Sequence, residues 1–569
     1  METKLKLIIR CIFIASFVLN FSCNEDEFLK EVPLDFYSPE NSYITYDNYQ
    51  AVLTDLYARI RSNYDLDINA LNDVNFLGTD IAYNARLNYD RIGNYNSSII
   101  PEGSLPKREW VNWYKIITNA NTIISRLPDS ELTESEMKEV QAEAKLFRAW
   151  SYRHLVYLFG GVPLVLEEVT SPKSDYTRTS KNDILNQIVI DASEAAENLS
   201  GPNDVIDGKL SNAVANHLLA ETYIALEEYE KAVASATKVI NNSGLSLMTD
   251  RFGSLKNEPG DVYFDLFRVN NQNRGQGNTE AIWVAQLELD VPGGLLESDN
   301  SYHNCLERCI ASAPWSIKDP DGFATTYKGK QISSFNCGGR GVSFIRPSDY
   351  YLYDIWGLDP GDDNRIVDNS DIRTSKYNIV RDFIYSNPES TNYYGKSLID
   401  FPSPQWLEQD WRWYPYPTKI TTAGQHPEGV IDDPEHMTLK TTAGSTYRDM
   451  YIIRLPETYF LRAEAYLLKG EKQKAADDLN VVRARANATP VTADEVDLDY
   501  ILDERARELI FEEKRRITLS RMEVLVERVR KYNPLNADNI NDYNDLFPIP
   551  YSEIEANKDV ILEQNPGYN

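Results

Sequence analysis

Residues 146–165, LFRAWSYRHLVYLFGGVPLV, constrain the fold more than any other stretch of this chain. Arg148, Arg153 and His154 interrupt the apolar residues, leaving runs far shorter than the roughly 20 residues a bilayer requires, so a membrane span is excluded. Val140, Ala144, Phe147, Ser151, Leu155 and Leu158 follow the three-and-four spacing of one helical face. Leu146, Trp150 and Tyr157 mark a second face. A helix apolar on both sides must be covered on both sides, so it belongs inside a stack. Gly160 or Gly161 supplies the left-handed stop, and Pro163 blocks a restart.

The unit recurs. Phe147-Arg148-Ala149-Trp150-Ser151-Tyr152 is echoed by Leu461-Arg462-Ala463-Glu464-Ala465-Tyr466, and more loosely by Leu219-Ala220-Glu221-Thr222-Tyr223. In the last two, a further alanine follows at the same offset, giving Ala220, Tyr223, Ala232 and Ala463, Tyr466, Ala475. Small residues where helices cross, with a tyrosine beside them, are the tetratricopeptide pattern. The second helices agree: Ala232, Val233, Ala236, Val239 and Ile240 share a face, as do Ala475, Leu479 and Val482. Ser211 is placed to cap the first of these pairs. Amphipathic segments around Tyr49 to Arg61 and Trp110 to Leu127 extend the stack.

A different composition begins near residue 290. Residues 290–450 hold 13 of the 27 glycines and 12 of the 27 prolines without sustained helical periodicity, which predicts loops and short strands. The expected organisation is mostly α. A helical-pair scaffold spans about 40–285 and 450–530, a loop-rich insertion about 290–450, and an extended C-terminal segment about 545–569. Six of the nine tryptophans fall between residues 283 and 413, which puts the aromatic surface on loops, where binding residues concentrate. Trp315, Trp356, Trp411 and Trp413 are therefore candidate stacking residues, with Tyr83, Tyr89 and Tyr95 as a second wall.

The formal charge of −29, from 87 acidic and 58 basic side chains, disfavours binding to phosphate backbones. At the N-terminus Lys4, Lys6 and Arg10 precede an apolar run from Cys11 to Leu19, and small Ser22 precedes Cys23. This reads as a signal peptide over 1–22 with Cys23 as an acylated lipoprotein cysteine; the alternative is ordinary cleavage nearby. Lipidation would give the mature domain, 23–569, its attachment to a membrane.

Catalytic and metal motifs are weak. The five histidines form no HExxH, and neither a nucleophile elbow nor a phosphate loop is present, so no catalytic residue, cofactor or metal is expected. Asp65-x-Asp67-x-Asn69 with Asp73 is calcium-like, but Ala70 and Phe76 stand where an EF-hand needs Gly and Glu. His303, Cys305 and Cys309 match no standard zinc spacing, and a disulfide from Cys337 to Cys305 or Cys309 is the preferred expectation. The charged stretch Asp503 to Arg521 reads as one helix carrying Glu504–Arg507, Arg505–Glu508 and Glu512–Arg516 surface pairs.

Four segments in order resemble the SusD/RagB family: AEAKLFRAWSYRHLVYLFGGVPLV (142–165), YIIRLPETYFLRAEAYLLKG (451–470), ILDERARELIFEEKRRITLSR (501–521) and FPIPYSEIEANKDVILEQNPGY (547–568). Asn24-Glu25-Asp26-Glu27 after Cys23 looks like a surface-export signal of Bacteroidetes. The chain departs from the family pattern at Glu513, where Gly is common, and at Thr518, near which Asp is common. The resemblance implies an outer-membrane, cell-surface lipoprotein. Such a protein binds glycans and delivers them to a SusC-like TonB-dependent transporter. Peptide import is the main alternative; a surface glycosidase and a pure protein-interaction scaffold are remote ones. Sugar rings present an apolar C–H face and a polar rim, which is the chemistry that loop tryptophans with nearby Asn, Asp or Arg would meet.

Overall fold

The computed structural model describes residues 43–71, 73–86, 92–242, 244–291, 294–295, 303–367 and 369–568. Helix accounts for 46% of it and strand for 7%, so the layers are helical and the sheets serve as local ties. The longer helices are α1 (Tyr46–Tyr64), α2 (Ser104–Arg126), α3 (Glu134–Phe159), α4 (Lys181–Asn198), α5 (Asn212–Ala225), α6 (Tyr229–Ile240), α7 (Leu455–Leu468), α8 (Lys472–Arg485), α9 (Leu498–Leu509), α10 (Arg515–Arg521) and α11 (Leu525–Tyr532).

Each of α2 to α6 packs on the next, and α7 packs on α5, α6 and α8, so the wall continues across the insertion. The joint is built from the repeated alanines. Ala220, Ile224, Ala232 and Ala236 of α5 and α6 meet Leu461 and Ala465 of α7 in one cluster, while Ala463, Ala475, Ala476 and Leu479 form the next. Helix α3 is buried without interruption from Leu146 to Phe159, as two-sided apolarity requires. It starts at a reciprocal capping box between Thr133 and Glu136. It stops at Gly160, whose φ of +70° and ψ of −133° lie in a region open essentially to glycine. A Cβ on Gly161 would stand 2.5 Å from the Thr179 carbonyl oxygen, so both glycines are required. Ser211 occupies the N-cap of α5 as expected, but its hydroxyl makes no capping bond.

The two arginines inside α3 explain how a charged helix lies at the centre. Arg148 is bidentate to Asp191 of α4 (2.8 and 2.8 Å), and Arg153 is bidentate to Glu221 of α5 (2.7 and 2.7 Å). Arg462 to Asp478 repeats the device between α7 and α8, and Arg521 to Glu464 between α10 and α7. The C-terminal segment closes the end of α3. Phe547 N donates to the Leu158 carbonyl (2.6 Å), and Asn565 Nδ2 donates to the carbonyls of Phe159 (3.0 Å) and Phe547 (2.7 Å).

Short α-helical and 3-10 turns fill the stretch between the scaffold halves, and among the described residues four two-stranded antiparallel ribbons tie it together and to the scaffold. The strands are β1 (Ala82–Asn84), β2 (Ala281–Ala285), β3 (Ile345–Pro347), β4 (Ile379–Val380), β5 (Tyr416–Pro417), β6 (Ile431–Asp433), β7 (Thr438–Leu439) and β8 (Met450–Arg454). They pair β1–β3, β2–β8, β4–β5 and β6–β7.

Two sequence expectations are corrected here. The charged stretch is two helices, because the chain breaks between α9 and α10 at Phe511, which has a φ of +57°. Its ion pairs are also buried cross-links. Arg505 bonds Glu457 and Glu513, and Arg516 bonds the carbonyls of Val74 and Leu77. Only Glu504–Arg507, at 2.9 Å, matches the helical spacing. The expected disulfide is likewise not formed: Cys305, Cys309 and Cys337 are buried and none is in a disulfide, and burial pushes the Cys305 and Cys337 thiols up in pKa. Cys309 Sγ instead donates to the Asp67 carbonyl at 3.3 Å.

Candidate functional site

The β1–β3 ribbon sets Tyr83 directly opposite Arg346. The chain leaving β1 brings the Arg86 guanidinium 3.9 Å from the centre of the Trp411 ring and 5.3 Å from that of Phe344. Trp411 sits in a 3-10 turn, Asp410–Arg412, beneath which Arg412 Nη1 donates to the Ser316 carbonyl (2.6 Å) and Ala313 N donates to the Arg412 carbonyl (2.9 Å). Those bonds join the turn to the segment carrying Trp315, whose Nε1 donates to the Gly341 carbonyl at 2.7 Å. Tyr83, Trp315 and Trp411 are each half-buried, and the Arg412 guanidinium also lies over the Trp411 ring, 4.7 Å from its centre, so the patch joins partly exposed aromatic surface to cations.

Its rim is charged and hydrogen-bonding. Arg346 pairs with Asp410, which is 76% exposed, and with Asp349 at 3.5 Å, while its guanidinium lies 5.7 Å from the Tyr83 ring centre. Burial opposes the charge on Arg346, but Tyr83, Asp410 and Asp349 outweigh it and hold its pKa above the ordinary arginine value. Burial pushes the Tyr83 hydroxyl up to about 12, against the pull of Arg346, so it remains a neutral donor at physiological pH. Burial lowers the pKa of Arg412.

The remaining candidates are distributed otherwise. Trp413 is 2% exposed and packs on Phe383 (5.8 Å) and Tyr416 (5.9 Å). Trp356 is 8% exposed, with Nε1 donating to the Tyr351 carbonyl at 2.7 Å. Tyr95 has no exposed surface; its hydroxyl donates to the Gly78 carbonyl and accepts from Arg516 Nη2 at 2.9 Å. These three side chains are core, because each ring is enclosed and its polar atom is spent inside the protein. Tyr89 and Cys23 lie outside the described residues. Sequence reasoning missed Arg86, Arg346 and Asp410. The nearest signal was the Asp-Trp-Arg-Trp run at 410–413, whose charged members flank the exposed indole.

The metal-like motifs are occupied by other work. Asp65 accepts from His303 Nδ1 (2.7 Å) and Asn304 N, Asp67 from the N–H groups of Asn69 (2.7 Å) and Leu71 (3.2 Å), and Asp73 from those of Asn75, Phe76 and Leu77. Among the described residues no group of three or more His, Cys, Asp or Glu side chains is arranged to hold a metal ion. Glu508 and Glu512 are clamped by Arg454, with Arg485 and Arg373 on Glu508 and Lys419 on Glu512. Those cations overcome burial and hold both carboxyls below the usual range, opposite to what a proton-donating acid needs.

A sequence model of the SusD family matches residues 279–568, and one described as starch-binding, associating with outer membrane, matches residues 33–224. The chain belongs to the SusD family. A SusD-like protein of Formosa agariphila, P25, is 24% identical over 96% of this chain and 97% of its own length. The starch-binding protein SusD of Bacteroides thetaiotaomicron is 34% identical over 23% of this chain and 24% of its own. In three dimensions a laminarin-binding SusD-like protein superposes with a TM-score of 0.60 at 22% identity, over 92% of this chain and all of the other. That likeness establishes the fold and accounts for how the helical wall resumes beyond the insertion.

Proposed function

We propose that this SusD-family chain binds glycans at the cell surface through the patch around Trp411, Tyr83 and Trp315, and passes them to a TonB-dependent transporter. The carrying observation is the juxtaposition, beside one ribbon, of half-buried rings with Arg86, Arg346 and Asp410. A sugar ring places its C–H face on such a ring and its hydroxyls against the charged rim. The similar proteins that bind laminarin and starch support the ligand class. Outer-membrane attachment through acylated Cys23 belongs to the same reading, supported by the matched description "associating with outer membrane"; no described helix is long and apolar enough to cross a membrane.

The test is calorimetric titration with laminarin and starch oligosaccharides and with a mixed tryptic peptide pool. Trp411→Ala should lower glycan affinity about tenfold, the equivalent of roughly 1.4 kcal/mol, with an unchanged melt. Binding of peptides alone would sink the glycan reading. Full glycan affinity in both Trp411→Ala and Arg346→Met would remove the patch. For the anchor, Cys23→Ala should release the protein from washed membranes; retention without the transporter refutes lipidation at that residue.

A further inference from the structure

A groove of about 640 Å³ runs beside α2 and shares no residue with the Trp411 patch. Val111, Tyr114 and Ile117 line it from α2, and Pro163, Val165 and Leu562 from the segments that follow α3 and close the chain. Its walls are fixed to one another. The Tyr114 hydroxyl donates to the Pro163 carbonyl at 2.7 Å, and Asn557 both accepts from Tyr176 N and donates to the Tyr176 carbonyl, each at 2.8 Å. Apolar surface continues at the edge: Val169 is 43% exposed, and Ile561, next to Leu562, 83%. A built apolar space with apolar residues left on its border marks an interaction site.

The charge of the groove runs against that of the chain. Arg59, Lys115 and Lys173 line it with one carboxylate, Glu553, whereas the whole chain carries −29; Asp55, bonded to Arg59 at 2.6 Å, offsets one of the three cations. The occupant that fits is apolar with a modest excess of acid. Among the residues outside the described ones, Glu31-Val32-Pro33-Leu34-Asp35-Phe36-Tyr37 has that character. Apolar Val32, Leu34 and Phe36 alternate with Glu31, Pro33 and Asp35, and Pro33 favours extended backbone at Val32. Extended, such a segment puts its three apolar side chains on one face and leaves both acids at the rim, where Lys115 and Lys173 are exposed.

Reach and size agree. The Tyr43 ring lies 5.7 Å from the Arg126 guanidinium, and Arg126 pairs at 2.9 Å with Glu168, the neighbour of Val169. Along α2, Asn119 and Val111 stand about 10 and 22 Å from Arg126 at 1.5 Å per residue. Phe36 and Val32, seven and eleven residues before Tyr43, reach about 23 and 36 Å in extended chain, so both ends of the groove are in range. The groove holds roughly twenty water-sized groups at about 30 Å³ each, against fourteen side-chain carbons in Val32, Leu34 and Phe36. We propose that the groove beside α2 is the seat of the chain's own segment 31–37, held by Val32, Leu34 and Phe36. The consequence for attachment rests on the reading of Cys23 as acylated. With 31–37 seated, the tether from lipid to groove is residues 24–30, about 24 Å extended, in place of about 65 Å for residues 24–42. The α2 side of the wall then lies within that shorter distance of the bilayer.

The test uses the mature chain with Cys23→Ala, so that docking is measured without the lipid and can stand or fall apart from acylation. Leu34→Asp with Phe36→Asp should release the segment, lower the melting temperature and open the groove to a synthetic peptide of residues 28–37, FLKEVPLDFY. That peptide should bind the double variant saturably. It should bind the chain with native Leu34 and Phe36 at least about tenfold more weakly, because the tethered segment competes at high effective concentration. Added to the double variant, Val111→Glu should lower peptide affinity at least about tenfold. Lys115→Glu, at an exposed position, should lower it about threefold and is the second reporter should Val111→Glu disturb the wall. Equal peptide affinity with and without the native segment would overturn the proposal, as would binding that survives both groove substitutions. No saturable binding at about 1 mM peptide would overturn it too. A dimer in sedimentation that Val111→Glu dissolves, and that Leu34→Asp with Phe36→Asp leaves intact, would give the groove to a second copy and overturn it equally.

Discussion

Buried arginines of the helical wall and those at the loops beside it find different kinds of partner. In the helical wall a guanidinium meets a carboxylate on a neighbouring helix, as in Arg148–Asp191, Arg153–Glu221 and Arg521–Glu464, and those carboxylates hold the pKa of Arg153 and Arg521 above the ordinary value despite burial. At and within the loop-rich region, three buried arginines take backbone carbonyls instead. Arg268 bonds those of Phe264 and Thr418, Arg381 that of Leu352, and Arg448 those of Lys419 and Asp449. There burial prevails: Arg268 is lowered to about 9, and Arg381 and Arg448 are lowered too. Helices satisfy their own carbonyls, so a buried arginine between them needs an anion; loops leave carbonyls open, and a side chain with five donors collects them. Arg373, inside the loops but held by Asp371, Glu504 and Glu508, is raised like the wall arginines, so an anionic partner decides the sign, and open carbonyls become available to arginine where the backbone is irregular.

The sharpest break of this contrast is Arg153→Met, which strands Glu221 in the core and should cost about 3 to 5 kcal/mol in denaturant unfolding. Arg268→Met leaves only carbonyls behind and removes a charge that burial disfavours; about 1 to 3 kcal/mol is expected. Equal losses in the two variants would erase the distinction. Within the loops, Trp413→Ala should cost about 3 to 5 kcal/mol as a core cavity, whereas Trp411→Ala should stay within about 1 kcal/mol. In the wall, Ala463→Leu or Ala220→Leu should cost about 1 to 3 kcal/mol through overpacking at a crossing, and unaltered thermal melts of both would mean that the alanines do not set the helix spacing.

The smallest effect is one of pH. Burial lowers the pKa of His217 to about 3 and that of His154 well below its ordinary value, so neither takes a proton in the native wall above pH 5. Unfolded, both titrate near 6.5, and stability is lost as pH falls through that value. Glu457 works the other way: burial raises it to about 7, so the native state gains one proton between there and its unfolded value. The balance is one extra proton on the unfolded chain, a loss of about 1.4 kcal/mol per pH unit between pH 6 and 5. His217→Asn should flatten that slope in urea titrations at the two pH values; a slope unchanged by the substitution would place its origin elsewhere.

The wall was legible in sequence because its determinants are local and periodic. Ala220 and Tyr223, Ala463 and Tyr466, and the stop at Gly160 all declare themselves within one or two helical turns. What joins distant segments was not legible. Tyr83 faces Arg346 across a ribbon of three residues, too short to carry a pattern. Trp411 and Trp413 are two residues apart, yet the first ends up on the surface patch and the second in the core, because a 3-10 turn precedes extended backbone at Trp413. The charged stretch kept helical periodicity on either side of Phe511, and the break there leaves its ring on Phe76, 5.3 Å away and distant in sequence.

The closure of α3 by Asn565 bears on the order in which the protein can be completed. The Phe159 carbonyl and the amide that caps it are 406 residues apart. At 5 to 20 residues per second, the ribosome needs roughly 20 to 80 s to make the second after the first. Throughout that interval the Arg178 guanidinium, which donates to the Phe159 carbonyl at 3.1 Å, is the near partner that the end of the helix has in sequence. The contacts of Phe547 and Asn565 are therefore the last to be added to that end.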